Sequence, residues 1–198
     1  MTAGGGPPRR LWRILSPRWA HAPLSGEGAA RHGGRWNRPG QPALYLSETI
    51  ETAFAEYQQE MGVRPGTFVA YDLSGALIVD LTDVAVQAEL GLTAADLLEP
   101  WKEAAFVRKV DPGTWRLVDR LVGEFDGLRV PSAQYSGGVN IVLWRWNAAE
   151  GAQIRHFDPR TELVGGPASI DSAHSREGGK PGAARTADEA PGPPPSRG

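Results

Sequence analysis

The sequence predicts an α+β fold, a single compact domain with a mixed central sheet and flanking helices. Three observations lead there. Apolar runs of strand length gather at the two ends of the region from Leu11 to Val164. Segments with helical spacing lie between them, an order that favours α+β over a doubly wound α/β sheet. The 198 residues, 40% of them hydrophobic, can build one core with tails.

In chain order, residues 1–10 are rich in glycine and proline and read as a flexible N-terminus. Leu11 to Leu15 is a first strand, and Ala43 to Leu46 a short buried one after Pro42. Ser47 then reads as a helix N-cap, with Glu48 and Glu51 in the first turn, where the helix dipole favours acids. Ile50, Ala53, Phe54, Tyr57 and Met61 follow at helical spacing, so a helix is expected over 48–61, ended by Gly62. Thr67 to Leu73 and Ala76 to Leu81 read as strands separated by a Ser-Gly turn. A short helix over 93–99 stops at Pro100, and a longer one over 114–125 carries Leu117, Val118, Leu121 and Val122 on one side. After a turn at Asp126-Gly127 come late strands over 128–130, 139–146 and 153–157. Residues 165–198 hold 7 Gly and 6 Pro, with Ile170 their only large apolar residue. Such a tail cannot offset its ordering entropy and is expected to be disordered.

Composition excludes several classes. A net charge of -2 gives no basic footprint for nonspecific nucleic-acid binding. No run of 18 apolar residues suggests a membrane span. Cysteine is absent, which removes disulfides, thiol catalysis and cysteine-ligated metals and fits a cytoplasmic protein. The four histidines are scattered, and no HExxH or similar compact pattern occurs, so no metal is expected. GxGxxG after a strand, GxxxxGK[ST] and GxSxG are all missing, so neither a dinucleotide fingerprint, a P-loop nor a nucleophile elbow is supported.

What remains is the segment Pro23 to Leu46, where Gly26, Gly28, Gly33, Gly34 and Gly40 sit among Arg31, Arg35, Arg38 and Trp36. Glycine lets a backbone approach a ligand, and arginine offers a planar fork for phosphate or carboxylate oxygens. Arg35, in GGRWN, reads either as an exposed turn residue or as the fork of an anion site. Arg31 and Arg38 read as solvated. Tyr45 is either a core tyrosine with a wet hydroxyl or a stacking surface. Glu56 lies three residues past Ala53 and four past Thr52, at the border of the helix's apolar face. There it is either a surface glutamate or a carboxylate that meets a substrate hydroxyl. Ser132 follows Pro131 and reads as a turn serine or a hydrogen-bond donor to phosphate.

Taken in order, LWRI, LSGEGAARHGGRWNRPG, ALYLSETIETAFAE, LRVPSAQYSGGVN and FDPR resemble the RES domain family, across about Leu11 to Arg160. The resemblance implies the toxin half of a bacterial toxin–antitoxin pair, neutralised by an Xre-type helix-turn-helix antitoxin. It implies degradation of NAD⁺ by hydrolysis or phosphorolysis, and a fold similar to ADP-ribosyltransferase toxins. NAD⁺ would be substrate rather than cofactor, with inorganic phosphate a possible co-substrate. Arg35, Glu56 and Ser132 match the family's arginine, glutamate and serine; Tyr45 matches a tyrosine before the glutamate helix, and Arg13 and Asn140 match recurrent positions. Gly34, Trp36 and Asn37 belong to the same expected binding loop. One departure is visible. Family members continue after the asparagine into asparagine–proline and histidine–proline steps, whereas Asn140 is followed by IVLWRWNAAEG, so the last strand pair is expected to differ in shape.

On this reading Glu56 stabilises the oxocarbenium character of the ribose, Arg35 and Ser132 hold the pyrophosphate, and Tyr45 stacks on or shapes the nicotinamide pocket. Nicotinamide leaves neutral, so no general acid is required. Two other readings stay open on sequence alone: ADP-ribosyl transfer to a macromolecule, and a nucleotide-binding module without turnover.

Overall fold

The computed structural model describes residues 7–59 and 62–163. A seven-stranded mixed sheet runs β4-β5-β6-β2-β1-β3-β7. Its strands are β1 (Arg9–Leu15), β2 (Leu44–Ser47), β3 (Thr67–Ser74), β4 (Ile78–Asp80), β5 (Gly127–Pro131), β6 (Val139–Leu143) and β7 (Gln153–His156). Only β4 and β5 pair in parallel; every other neighbouring pair is antiparallel. The helices are α1 (Glu27–His32), α2 (Ile50–Gln58), α3 (Val84–Glu89), α4 (Ala94–Leu98) and α5 (Gly113–Leu121). No helix among the described residues is long and apolar enough to cross a membrane.

Alternation along the strands sorts the core into two clusters. Leu11, Leu15, Leu44, Leu46, Val69, Tyr71, Ile141 and Leu143 form one. Leu128, Val130 and Val142 pack with Trp36, Trp144 and the α5 residues Leu117, Val118 and Leu121 in the other. The residues between Leu44 and Leu46 and after Leu46, namely Tyr45 and Ser47, therefore point away from the first cluster, as does Asn140, which pairs with Ser47. β1 and β2 meet through a single residue pair, Trp12 with Ser47. Beyond that pair the two strands separate, and α2 packs against both.

Several expected elements change in detail. β1 begins at Arg9, inside the segment expected to be flexible, and is tied there by an Arg10–Asp72 ion pair of 2.7 Å. Ser47 is not a helix cap but the last residue of β2; the cap is Thr49, whose hydroxyl accepts from the Thr52 amide. α2 is also turned from the expected orientation. Thr52 and Ala53 are buried, whereas Ile50 and Phe54 are 43% and 38% exposed. Phe54 stacks on Phe68 of β3 at the sheet rim instead of entering the core. The inward face is thus 52, 53 and 56, which carries Glu56 toward the sheet. The helix stops at Gln58; Met61 lies outside the described residues, as does the tail from 165.

The Ser-Gly turn after β3 is present, with Gly75 at φ +65°, but β3 and β4 do not form a hairpin. β4 crosses to the opposite edge and pairs with β5. α5 ends at Leu121, and Val122 is 37% exposed. Asp126, at the expected turn, is fully buried. α1, α3 and a π-helical turn over Glu103–Val107 were not expected from sequence; each is only five or six residues long. Periodicity over so few residues carries little signal.

Candidate active site

Glu56 is the centre of the site. Its Oε1 accepts two hydrogen bonds, from Ser132 Oγ at 2.7 Å and Asn140 Nδ2 at 2.6 Å. Oε2 has no hydrogen-bond partner among the described residues. The donors come from two different places. Ser132 follows β5, and its oxygen also accepts from the Gln134 and Tyr135 amides at 3.1 and 3.0 Å, which fixes the turn. Asn140 sits in β6, and its Oδ1 accepts from Ser47 Oγ at 2.7 Å. The expected Ser132–phosphate bond therefore meets a competitor: the serine hydroxyl proton is given to Glu56.

Tyr45 occupies the next outward position on β2. Its hydroxyl donates to Asn37 Oδ1 at 2.7 Å and accepts from the Trp36 amide at 3.0 Å. Burial pushes the phenol well above its ordinary value, with the Trp36 amide and Arg35 partly opposing. Tyr45 is thus a neutral ring and no base. Gly34 lies against it: a Cβ there would collide with the Tyr45 hydroxyl and fall 2.7 Å from Asn37 Oδ1. The glycine is needed for this close packing, while its carbonyl accepts from Trp115 Nε1. Asn37 is fully buried, and its Nδ2 reaches the carbonyls of Ala29, Arg38 and Gln41. The structure places Asn37 behind Tyr45 as a clamp of the loop, away from a ligand, because its polar atoms are all engaged within the protein. Trp36 is 4% exposed, and Trp144 Nε1 donates to its carbonyl.

Arg35 uses Nη1 to hold the carbonyls of Leu97 and Glu99, at 3.0 and 2.7 Å. Burial lowers its pKa, partly countered by Glu56. Arg38 is not free in solvent, as expected, but paired with Asp111 and Asp119. Arg31 pairs with Glu27 one helical turn away, at the surface.

These residues line a cavity of about 490 Å³ that includes Gly34, Arg35, Trp36, Tyr45, Glu56 and Asn140. That volume is in the range of small-molecule sites. Its far wall is Trp101, Lys102 and Phe106, from the segment after α4 that Arg35 tethers. Lys102 and Gln59 carry no recognisable motif, and the break at Pro100 followed by Trp-Lys is the local sequence signal of this wall. A second cavity of about 260 Å³ lies where β1 and β2 separate and shares Tyr45, Glu56, Gln59 and Asn140 with the first. Arg13 and Arg64 border it. Arg13 shares a strand face with the buried Leu11 and Leu15, opposite to Trp12. Its Nη1 is buried without a partner among the described residues, and burial lowers its pKa, with Tyr71 partly opposing. Of the sequence-derived candidates, Arg35, Tyr45, Glu56, Asn140, Gly34 and Trp36 share one cavity, Ser132 braces it, and Arg13 lies at the second. Among the described residues no group of three or more His, Asp or Glu could hold a metal ion.

One carboxylate with two braces, flanked by an arginine and a half-buried tyrosine, forms a compact polar site at the sheet. The family model for the RES domain matches residues 10–164, and the chain belongs to that family. It is similar to the NAD(+) phosphorylase MbcT of Mycobacterium tuberculosis, with 30% identity over 132 residues, 61% of this chain and 64% of MbcT. The match therefore spans a little under two thirds of that relative. A protein named Toxin Res from Pseudomonas putida is 34% identical over 80 residues, 40% of this chain and 51% of that protein. In three dimensions the chain resembles the solved M. tuberculosis MbcT–MbcA toxin–antitoxin complex, with a TM-score of 0.53 and 23% identity over 79% of this chain and 89% of that one. That likeness is one of fold.

Proposed function

We propose that this protein is a toxin that destroys NAD⁺ by cleaving the bond between nicotinamide and ribose. The observation that carries the reading is Glu56, held through one oxygen by Ser132 and Asn140 with the other oxygen left for a ligand. Such a carboxylate opposes the positive charge that grows on the ribose C1 as the bond breaks, and it can accept a ribose hydroxyl. Prior fixation means that little reorganisation is needed when the charge appears. Arg35 spends Nη1 on Leu97 and Glu99 and keeps Nε and Nη2 to bind the pyrophosphate. Tyr45, a neutral ring, shapes the pocket beside the leaving group.

The step balances without a general acid. The C1–N bond breaks with its electron pair going to nicotinamide, which departs neutral. Water or inorganic phosphate forms the new C1–O bond and gives up a proton to solvent. The relative named as an NAD(+) phosphorylase supports phosphate. The second cavity, which shares Glu56 with the first and is bordered by Arg64, is where an anionic acceptor would approach. On the family resemblance the architecture is ADP-ribosyltransferase-like, and the mixed seven-stranded sheet with flanking helices is compatible with it. The solved toxin–antitoxin complex supports a neutralising antitoxin partner, of helix-turn-helix type on the family resemblance. Purified protein incubated with NAD⁺ tests the reading. Nicotinamide release is expected, with ADP-ribose 1-phosphate formed when phosphate is present. Label transferred to a macromolecule would select ADP-ribosyl transfer instead, and binding without turnover would select a non-catalytic role.

A further inference from the structure

Ser47 stands apart from the arginine, glutamate and serine that identify the family. It is 4% exposed, ends β2, and faces Trp12 of β1 on one side and Asn140 of β6 on the other. We infer that Ser47 is a positioning residue that sets the catalytic carboxylate through Asn140. This rests on the proposed role of Glu56.

Donors and acceptors fix the arrangement. Glu56, as a carboxylate, can only accept, so Asn140 must present its Nδ2 to it, as it does at 2.6 Å. Asn140 Oδ1 then points the other way, into a site where the residue is only 9% exposed. A buried amide oxygen without a donor is costly. Ser47 supplies that donor at 2.7 Å. Remove the hydroxyl and the asparagine has a reason to rotate in search of another partner. Rotation takes Nδ2 away from Glu56, which then keeps only Ser132. With one brace instead of two, the free oxygen of Glu56 is no longer aimed. Arg35 lies outside this chain of bonds, so loss of Ser47 acts on the chemical step and leaves pyrophosphate recognition in place.

Two measurements test this. One needs no substrate: the side-chain amide signals of Asn140 in ligand-free protein, followed by ¹⁵N NMR for shift and hydrogen exchange. Ser47→Ala is expected to move these signals and speed their exchange, while Ser47→Thr, which keeps a hydroxyl, leaves them near wild type. The second is kinetic. Ser47→Ala is expected to lower kcat for NAD⁺ cleavage about tenfold with KM within about twofold, and Ser47→Thr to restore it. Ser47→Cys, a weaker donor of similar shape, should fall between, and serves if the alanine variant folds poorly. Unchanged Asn140 signals in Ser47→Ala overturn the inference whatever the activity. So does a freed Asn140 amide with unchanged kcat. If the wild type releases no nicotinamide, the NAD⁺ reading fails, and the amide signals still decide whether Ser47 holds Asn140.

Discussion

Two acidic side chains in this domain are held by hydrogen bonds in opposite ways. Asp126, fully buried before β5, has both oxygens occupied. Oδ1 accepts from Arg145 Nε at 2.6 Å, and Oδ2 from the Leu77 and Ala152 amides at 2.9 and 3.1 Å. Its own carbonyl accepts from the Trp144 amide at 2.9 Å. It joins the entry to β4, the end of β6 and the approach to β7, and its complete burial leaves no access for a ligand. Glu56 receives both of its donors on one oxygen and presents the other. Saturation marks the carboxylate that holds the fold together. Half-saturation is what the catalytic role proposed for Glu56 requires.

Substitutions at the two sites should therefore separate activity from stability. The largest effect is expected from Glu56→Gln, which keeps shape but removes the charge. NAD⁺ cleavage should fall by about 10²–10³-fold or more in a turnover assay, with the melting temperature close to wild type. Asp126→Ala should do the reverse. It strands two backbone amides, a loss of about 3 kcal/mol, seen as a melting temperature about 6–12 °C lower with turnover per folded molecule retained. A stable Asp126→Ala protein, or an unfolded Glu56→Gln one, breaks the contrast.

Smaller effects sharpen it. Ser132→Ala removes one brace from Glu56 and should cost roughly tenfold in kcat. Arg35→Lys cannot reproduce the guanidinium fork that holds two carbonyls and an anion together, and should raise KM for NAD⁺ about tenfold in steady-state kinetics. The smallest effect concerns the tyrosines. Burial pushes the Tyr71 phenol up to about 12, with Arg13 opposing. A value raised in the folded state means that the contribution of Tyr71 to stability is complete below the unfolded value of about 10 and is lost as pH rises toward 12. Denaturant unfolding between those pH values should show a declining midpoint, and a shallower decline in Tyr71→Phe.

The central strands and the helix of Glu56 were legible in the sequence because alternation and helical spacing persist over enough residues there. The ordered match also marked Arg35, Tyr45, Glu56, Ser132 and Asn140. What could not be read was who bonds to whom. Ser47 has the composition of a cap, and only the pairing of β2 with β6 shows that its hydroxyl faces Asn140. Ser132 reads as a phosphate donor until β5 brings it beside Glu56. The apolar spacing of α2 pointed Ile50 and Phe54 inward, yet both are exposed, Phe54 stacking on Phe68, and Glu56 faces the sheet. The glycines near Arg35 suggested close approach to a ligand, whereas Gly34 makes room for Tyr45. Each of these depends on contacts between residues far apart in the chain, which no local pattern encodes.

The central claim, that Glu56 is the carboxylate of an NAD⁺-cleaving site, is tested most directly by nicotinamide release from NAD⁺ by purified wild-type and Glu56→Gln proteins, with and without phosphate. The account predicts rapid release by the wild type and almost none by a folded Glu56→Gln variant. Equal release by both, or none by the wild type free of any antitoxin, would contradict it.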